Sequence, residues 1–189
     1  MVAAPGERVP SLPARPACDA GPVQIETWRG DITTLDVDVI VNAANSQLRP
    51  GGGVCGAMHA AAGPALAEEC RSVAPVATGD AAATGGHDLA ARWVVHAVGP
   101  IWGEASDDES AELLASAYRR SIEEADAVGA TSIAFPAIST GIFGFPPQLA
   151  ARTAVDALRA CRPTSVQRCV LVAFDDATLR LLDDALAAA

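Results

Sequence analysis

The amino-acid sequence predicts an α/β domain, a three-layer α/β/α sandwich around a mixed, largely parallel sheet. Short β-branched runs alternate along the chain with segments of helical period, the pattern of βα units wound on one sheet. One run, Val37–Ala44, is apolar almost throughout and so reads as a central strand covered on both faces. Two glycine-rich turns directly follow such runs, at the carboxyl strand ends where open α/β sheets place their ligand crevice.

Residues 1–21 hold four prolines among Ala and Gly with no hydrophobic period, and are expected to form a flexible leader. A single domain over residues 22–189 follows, since 189 residues suffice for one substantial core and not for two. Val23–Trp28 and Val37–Ala44 read as the first strands. Val54–Val73 reads as a helix broken near Gly63-Pro64, and Ala81–Gly85 with Trp93–Val98 as further strands. Ser106 or Asp107 caps a long helix with Leu114, Tyr118, Ile122 and Ala125 on one face and Gly129 past its end. Thr131–Pro136 is another buried strand. Pro146-Pro147 opens a helix to about Ala160, Val166–Phe174 is the last strand, and Asp175-Asp176 starts a terminal helix carrying Leu179, Leu182 and Leu186.

Composition excludes several functions. All thirteen basic residues are arginines, so Schiff-base chemistry and a lysine-bearing phosphate loop have no side-chain amine to use. A net charge of −10 leaves no basic stripe, and general nucleic-acid binding is not expected. No uncharged apolar run approaches a membrane span, and the N-terminus lacks a basic-then-apolar signal, so the expectation is a cytoplasmic protein without a membrane partner. The five cysteines are odd in number and form no C-x-x-C pair; Cys70 and Cys169 read as buried small hydrophobes. Cys55 and His59 share a helix face, but zinc needs three or four ligands and His87 and His96 lie in a separate hairpin, so no metal and no cofactor is expected.

The chemistry concentrates in two loops. Gly51-Gly52-Gly53-Val54-Cys55-Gly56 lets the backbone approach a ligand and opens a helix whose first N–H groups and positive dipole end suit an anion. Ser139-Thr140-Gly141-Ile142-Phe143-Gly144 follows another buried strand and offers the same to a second phosphate, or is an ordinary strand-to-helix turn. Asp31 and Ile32 sit in a turn after a strand, where a carboxylate accepts from an amino group or caps the turn. Asn45 ends the apolar strand and either grips a hydroxyl or water or ties down the glycine loop; Asn42 fits the second role better. Phe143, with glycines nearby in its loop, is poorly placed for core packing, whereas Phe174 at a strand end is either a core aromatic or a stacking surface. Cys55 at a helix N-terminus is either a nucleophile or a small passive occupant, and the passive role is expected because no base is identifiable beside it.

Asn42-Ala43-Ala44-Asn45-Ser46 with Gly51–His59 closely resembles the first signature of the macrodomain family, which binds ADP-ribose. Gly30-Asp31-Ile32-Thr33, the segments Gly79–Gly86 and Val95–Pro100, and Pro136–Gly144 resemble the family's other blocks in family order, across about residues 22–189. The nearest likeness is to the MacroD-like branch, whose members release ADP-ribose from modified side chains and from O-acetyl-ADP-ribose. That resemblance implies an adenine contact at Asp31, a distal-ribose contact at Asn45 and Phe143, a stack on Phe174, and phosphate cradles in the two loops. It also implies catalytic positions at Asn45, Cys55 and Phe143, in a protein expected to be a monomer that takes ADP-ribose and ADP-ribosylated protein as partners. One departure stands out: the branch usually reads Gly-Val-Asp-Gly where this chain has Gly53-Val54-Cys55-Gly56, so the aspartate that positions water is missing. A fourth glycine is also common where Pro50 stands, which stiffens the start of the loop. The expected activity is therefore slow hydrolysis by positioned, substrate-assisted water, with a non-catalytic reader of ADP-ribose as the alternative.

Overall fold

The computed structural model describes residues 23–188, so the expected leader over residues 1–21 lies outside it. In chain order it contains β1 (Gln24–Arg29), a 3-10 turn (Ile32–Thr34), β2 (Val39–Ala43), α1 (Gly53–Ala62), α2 (Pro64–Val73), β3 (Ala81–Gly85) and β4 (Trp93–Ala97). It continues through α3 (Asp107–Ala127), β5 (Ser132–Phe135), α4 (Pro147–Ala160), β6 (Arg168–Ala173) and α5 (Asp176–Ala187). Every expected strand and helix is present, with strand ends shifted or trimmed by one or two residues. The 3-10 turn was not foreseen; the Asp31 carboxylate nucleates it by accepting from the Thr33 N–H at 3.0 Å.

Local chemistry sets the boundaries. Gly63, at φ +76°, ends α1, and Pro64 begins α2 with its fixed φ. The Ser106 hydroxyl caps α3 by accepting from Glu109 N–H at 3.2 Å, and Asp107, Asp108 and Glu109 place negative charge at the positive end of the helix. Asp175 caps α5 through the Thr178 N–H at 2.8 Å. Among the described residues no helix is long and apolar enough to cross a membrane.

The six strands run in the order β1-β6-β5-β2-β4-β3, parallel except for β3, which pairs antiparallel with β4. Successive residues of β2 point to opposite faces: Val39 and Val41 enter the core beneath α3, α4 and α5, and Ile40 enters the core beneath α1 and α2. Tyr118 of α3 packs against Phe135 of β5 at 5.2 Å between ring centroids, both fully enclosed.

One irregularity of the sheet shapes everything that follows. β2 and β5 pair only at Val39↔Ile133 and Ile40↔Ala134, while β2 goes on pairing β4 as far as Ala43↔Ala97. The amino ends of the two strands are clamped by Asp38, whose carboxylate accepts from Thr131 N–H at 2.8 Å and Thr131 Oγ1 at 2.7 Å, and from Ser132 N–H and Oγ at 3.1 Å each. The Thr131 hydroxyl, more than the other donors, holds this carboxyl below its ordinary pKa. Clamped at one end and unpaired at the other, the strands leave a crevice between their carboxyl ends, at the point where strand order reverses.

Candidate functional site

The crevice is a cleft of about 740 Å³ built by loops that leave the carboxyl ends of β1, β2, β4, β5 and β6. At one end lie Asp31, Ile32 and Phe174. They meet because β1 and β6 pair in parallel through Arg29↔Ala173 and the Gly30 N–H donates to Ala173 O at 2.9 Å, so the next residues of both strands emerge side by side. Phe174 is 82% exposed, which rules out the core role that its strand-end position allowed. Asp31 uses Oδ1 to hold Thr33 N–H and Oγ1, and Oδ2 takes no partner among the described residues.

The middle of the cleft lies between the two glycine loops. Gly53 takes φ +58°, and Gly56 is required because a Cβ there would stand 2.5 Å from Gly51 O. The amides of Gly51 to Cys55 find no acceptor among the described residues, and neither do those of Gly141, Ile142 and Phe143 in the facing loop. Such runs of free N–H groups at a helix N-terminus and a turn make anion-binding concavities. Ile142, 85% exposed, reaches toward the glycine loop, its Cδ1 3.2 Å from where a Gly52 Cβ would stand. The second loop is held by Phe145 N–H donating to Ser139 O at 2.9 Å and by Trp102 N–H donating to Phe143 O at 2.8 Å. Ser139 takes φ +65° and its hydroxyl is buried without a partner beside Gly99. Strain of that kind in a non-glycine residue costs about 1–3 kcal/mol and persists only where surroundings fix it.

Behind the glycine loop runs a chain of buried polar groups. The Arg49 peptide is pinned at both ends, its N–H donating to Asn45 Oδ1 at 3.1 Å and its carbonyl accepting from Asn45 Nδ2 at 2.7 Å. The Cys55 thiol, 5% exposed, also points to that carbonyl at 3.7 Å and lies 3.7 Å from Asn42 Nδ2. Asn42 Nδ2 approaches His96 Nδ1 at 3.1 Å, and His96 Nε2 meets Thr84 Oγ1 at 2.9 Å and Cys70 Sγ at 3.6 Å. Burial, with a smaller contribution from nearby His59, pushes the His96 pKa down to about 3, so the imidazole is neutral. An amide N–H can only donate, so Nδ1 accepts and the proton sits on Nε2, directed at Thr84. Burial lowers His59 likewise and raises the Cys70 thiol to about 11. His96, His59 and Cys70 are therefore uncharged near neutral pH.

Comparison with known proteins places these features. The Macro domain model matches residues 41–154, from the middle of β2 through both glycine loops and into α4. The chain belongs to the Macro domain family. A macro domain-containing protein of Ralstonia nicotianae is 49% identical over 164 residues, covering 87% of this chain and 95% of the relative. One from Streptomyces coelicolor is 50% identical over 153 residues, 78% of this chain and 89% of its own. Among solved structures, the Oceanobacillus iheyensis macrodomain with ADP superposes with a TM-score of 0.82 at 35% identity, covering 90% of this chain and 94% of that one. The Trypanosoma brucei macrodomain in complex with ADP-ribose gives 0.79 at 35% identity, over 86% of this chain and 68% of that one.

In this macrodomain the expected residues Asp31, Ile32, Asn45, Gly51, Gly52, Gly53, Val54, Cys55, Ser139, Thr140, Gly141, Ile142, Phe143 and Phe174 all line the one cleft. Gly56 does not: it faces Gly51 O and serves the turn of the loop. Asn45 lines the cleft and spends its amide on Arg49, which is the second of its two anticipated roles, tying down the glycine loop. Asn42 was expected to be fully satisfied, yet its Oδ1 is buried without a partner. Gly99, Tyr118, Val172 and Thr178 also line the cleft and were not foreseen. Nothing in their local sequence marks them, since each reaches the site through packing of distant segments.

Proposed function

We propose that this macrodomain binds ADP-ribose and hydrolyses mono-ADP-ribosyl esters on acidic side chains, or O-acetyl-ADP-ribose. The observation that carries the reading is the pair of facing loops with free amides, Gly51–Cys55 and Gly141–Phe143, in a cleft whose end presents Phe174 and the open Oδ2 of Asp31. The diphosphate sits between the loops, gripped by neutral N–H groups rather than by cations. Adenine stacks on Phe174 and donates its amino hydrogen to Asp31, and the distal ribose reaches Asn45 and Phe143.

Among the described residues no cleft carboxylate is placed to act as base at that distal ribose. Asp31 and Asp175 are the carboxylates lining the cleft, and they follow β1 and β6, three and two strand positions from β2. At about 4.8 Å per strand, those positions are roughly 14 and 10 Å away. The Cys55 Sγ lies 3.7 Å from Arg49 O, a contact that supports a loop-tying role for the thiol over an attacking one. Water held by Asn45 and loop backbone bonds to the electrophilic carbon of the ester, its proton passes to a phosphate oxygen of the substrate, and the bond to the leaving oxygen breaks; that oxygen departs as a carboxylate or, from the O-acetyl ester, takes the proton back from the phosphate and departs as the ribose hydroxyl. Positioning and oxyanion-type stabilisation supply most of the rate. A missing general base costs about 10²–10⁴, which still allows a slow enzyme.

The same absence of a nearby carboxylate favours a second reading, a non-catalytic reader of ADP-ribosylated protein. Calorimetry with free ADP-ribose beside turnover of a glutamate-linked ADP-ribosyl protein separates the two. With a slow hydrolase, Cys55→Ala keeps turnover within several-fold and Cys55→Asp equals or exceeds the parent. A reader binds without turnover above blank, and absence of heat or thermal shift at millimolar ADP-ribose refutes both.

A further inference from the structure

Arg49 is mounted more rigidly than an exposed surface residue needs to be. Its N–H and carbonyl are both held by the Asn45 side chain, the same carbonyl faces the Cys55 thiol, and Pro50 restricts the backbone immediately after it. Its guanidinium, by contrast, is exposed and makes no hydrogen bond or ion pair with any described residue. Arg29, Arg71, Arg119, Arg120 and Arg168 are each matched with a carboxylate, and Arg92, Arg152 and Arg180 form no ion pair among the described residues, so Arg49 is set apart by its place between Asn45 and the cradle glycines. Thus a molecule of net charge −10 keeps a free cation two residues before the first cradle glycine, Gly51. The opposite end of the cleft carries the carboxylates Asp31 and Asp175. Arg49 stands between Asn45 and Gly51, both of which line the cleft, so its guanidinium is a side-chain cation beside the end where the distal ribose and its attached protein project.

We propose that Arg49 is a specificity-determining residue that selects modified protein segments carrying further Asp or Glu side chains beside the ADP-ribosylated residue. The proposal rests on the ADP-ribose reading above. A planar guanidinium forks onto a carboxylate through two parallel N–H donors, and a backbone pinned at three points reduces the freedom lost in forming that contact. An acidic segment approaching this acidic molecule is otherwise repelled, so selection at this mouth needs a local cation. Ile142, 85% exposed beside Gly52, adds apolar surface next to the same opening.

The test uses two peptides carrying ADP-ribose through a non-hydrolysable linkage, identical except that the flanking residues are Glu in one and Ser or Gly in the other. Titrations are run with the full chain, with Arg49→Gln and with Arg49→Glu, alongside free ADP-ribose; thermal melts confirm that each variant is folded. An exposed ion pair is worth up to about fivefold, so the parent should prefer the acidic flank by about that factor at low salt. Screening should erase the preference near ~0.5 M salt, Arg49→Gln should bind both peptides alike, and Arg49→Glu should favour the neutral flank. Free ADP-ribose bound by a parent that shows no flank preference, or a preference retained in Arg49→Glu, overturns the assignment of Arg49 alone. A parent that binds no free ADP-ribose overturns the ADP-ribose reading and this proposal with it.

Discussion

Gly99→Ala tests the geometry of the second loop from outside that loop. A Cβ at Gly99 would stand 2.2 Å from Ser139 Oγ and 2.6 Å from Ile138 Cγ2, each about an ångström inside normal contact. Ser139 could rotate its hydroxyl, but Ile138 is β-branched, 1% exposed and packed in the core, so it cannot step aside. The backbone carrying Ser139 to Phe143 must move instead, by about the length of the overlap. A 3.0 Å hydrogen bond stretched by that amount is lost, and one to a charged group is worth about 1.5–3 kcal/mol. With two amides displaced, ADP-ribose binding should weaken by about 3 kcal/mol or more, a factor of at least roughly a hundred. Overpacking should cost about 1–3 kcal/mol of stability, which an ordinary domain survives. Calorimetry on the folded variant decides the matter. Affinity within threefold of the parent would show that Ile138 and Ser139 do not transmit the position of Gly99 to the phosphate cradle.

Three further outcomes follow from the same geometry. Phe174→Ala should leave stability within about 0.5 kcal/mol, because the ring is 82% exposed, yet lose 1–3 kcal/mol of ADP-ribose affinity, the usual worth of a base–aromatic stack; an unchanged Kd removes the stack. Asp31→Ala should abolish discrimination between adenine and hypoxanthine forms of the ligand, which differ at the amino group that Oδ2 would accept; discrimination surviving in the variant places the adenine elsewhere. The folded His96 pKa is about 3 and its ordinary value 6.5, so between these pH values the unfolded chain binds a proton that the folded chain refuses. Stability should therefore fall as pH drops below 6.5, by about 1.4 kcal/mol between pH 7.5 and 5.5 from His96 alone, read from urea midpoints. Depressed carboxylates such as Asp38 act only at lower pH, and a flat profile over that interval would mean that His96 is not buried neutral.

Much of the fold was legible because it is written in local pattern. The period switch from strand to helix, the caps at Ser106 and Asp175, and the break at Gly63-Pro64 each depend on a few adjacent residues. The glycine loops were legible for the same reason. What escaped depends on residues far apart in the chain. The short β2–β5 ladder follows from a clamp between Asp38 and Thr131, 93 positions later. The bonding of Asn45 to Arg49 and the neutrality of His96 follow from where their neighbours fold, and the place of Gly99 against Ser139 is set by strand order. Asp31 showed both the signal and its ambiguity: one carboxylate oxygen caps the turn, and the other is left without a partner among the described residues.

β1 and β6 are the first and last strands described, and their parallel pairing is what sets Asp31 beside Phe174. A ribosome finishes the two halves of that corner about 140 residues apart in time. Until the final strand docks, an emerging chain can carry both glycine loops and still lack the corner that Asp31 and Phe174 make. The corner of the cleft thus depends on the whole sheet: a product cut short before β6 would keep both glycine loops and lack the Phe174 side altogether.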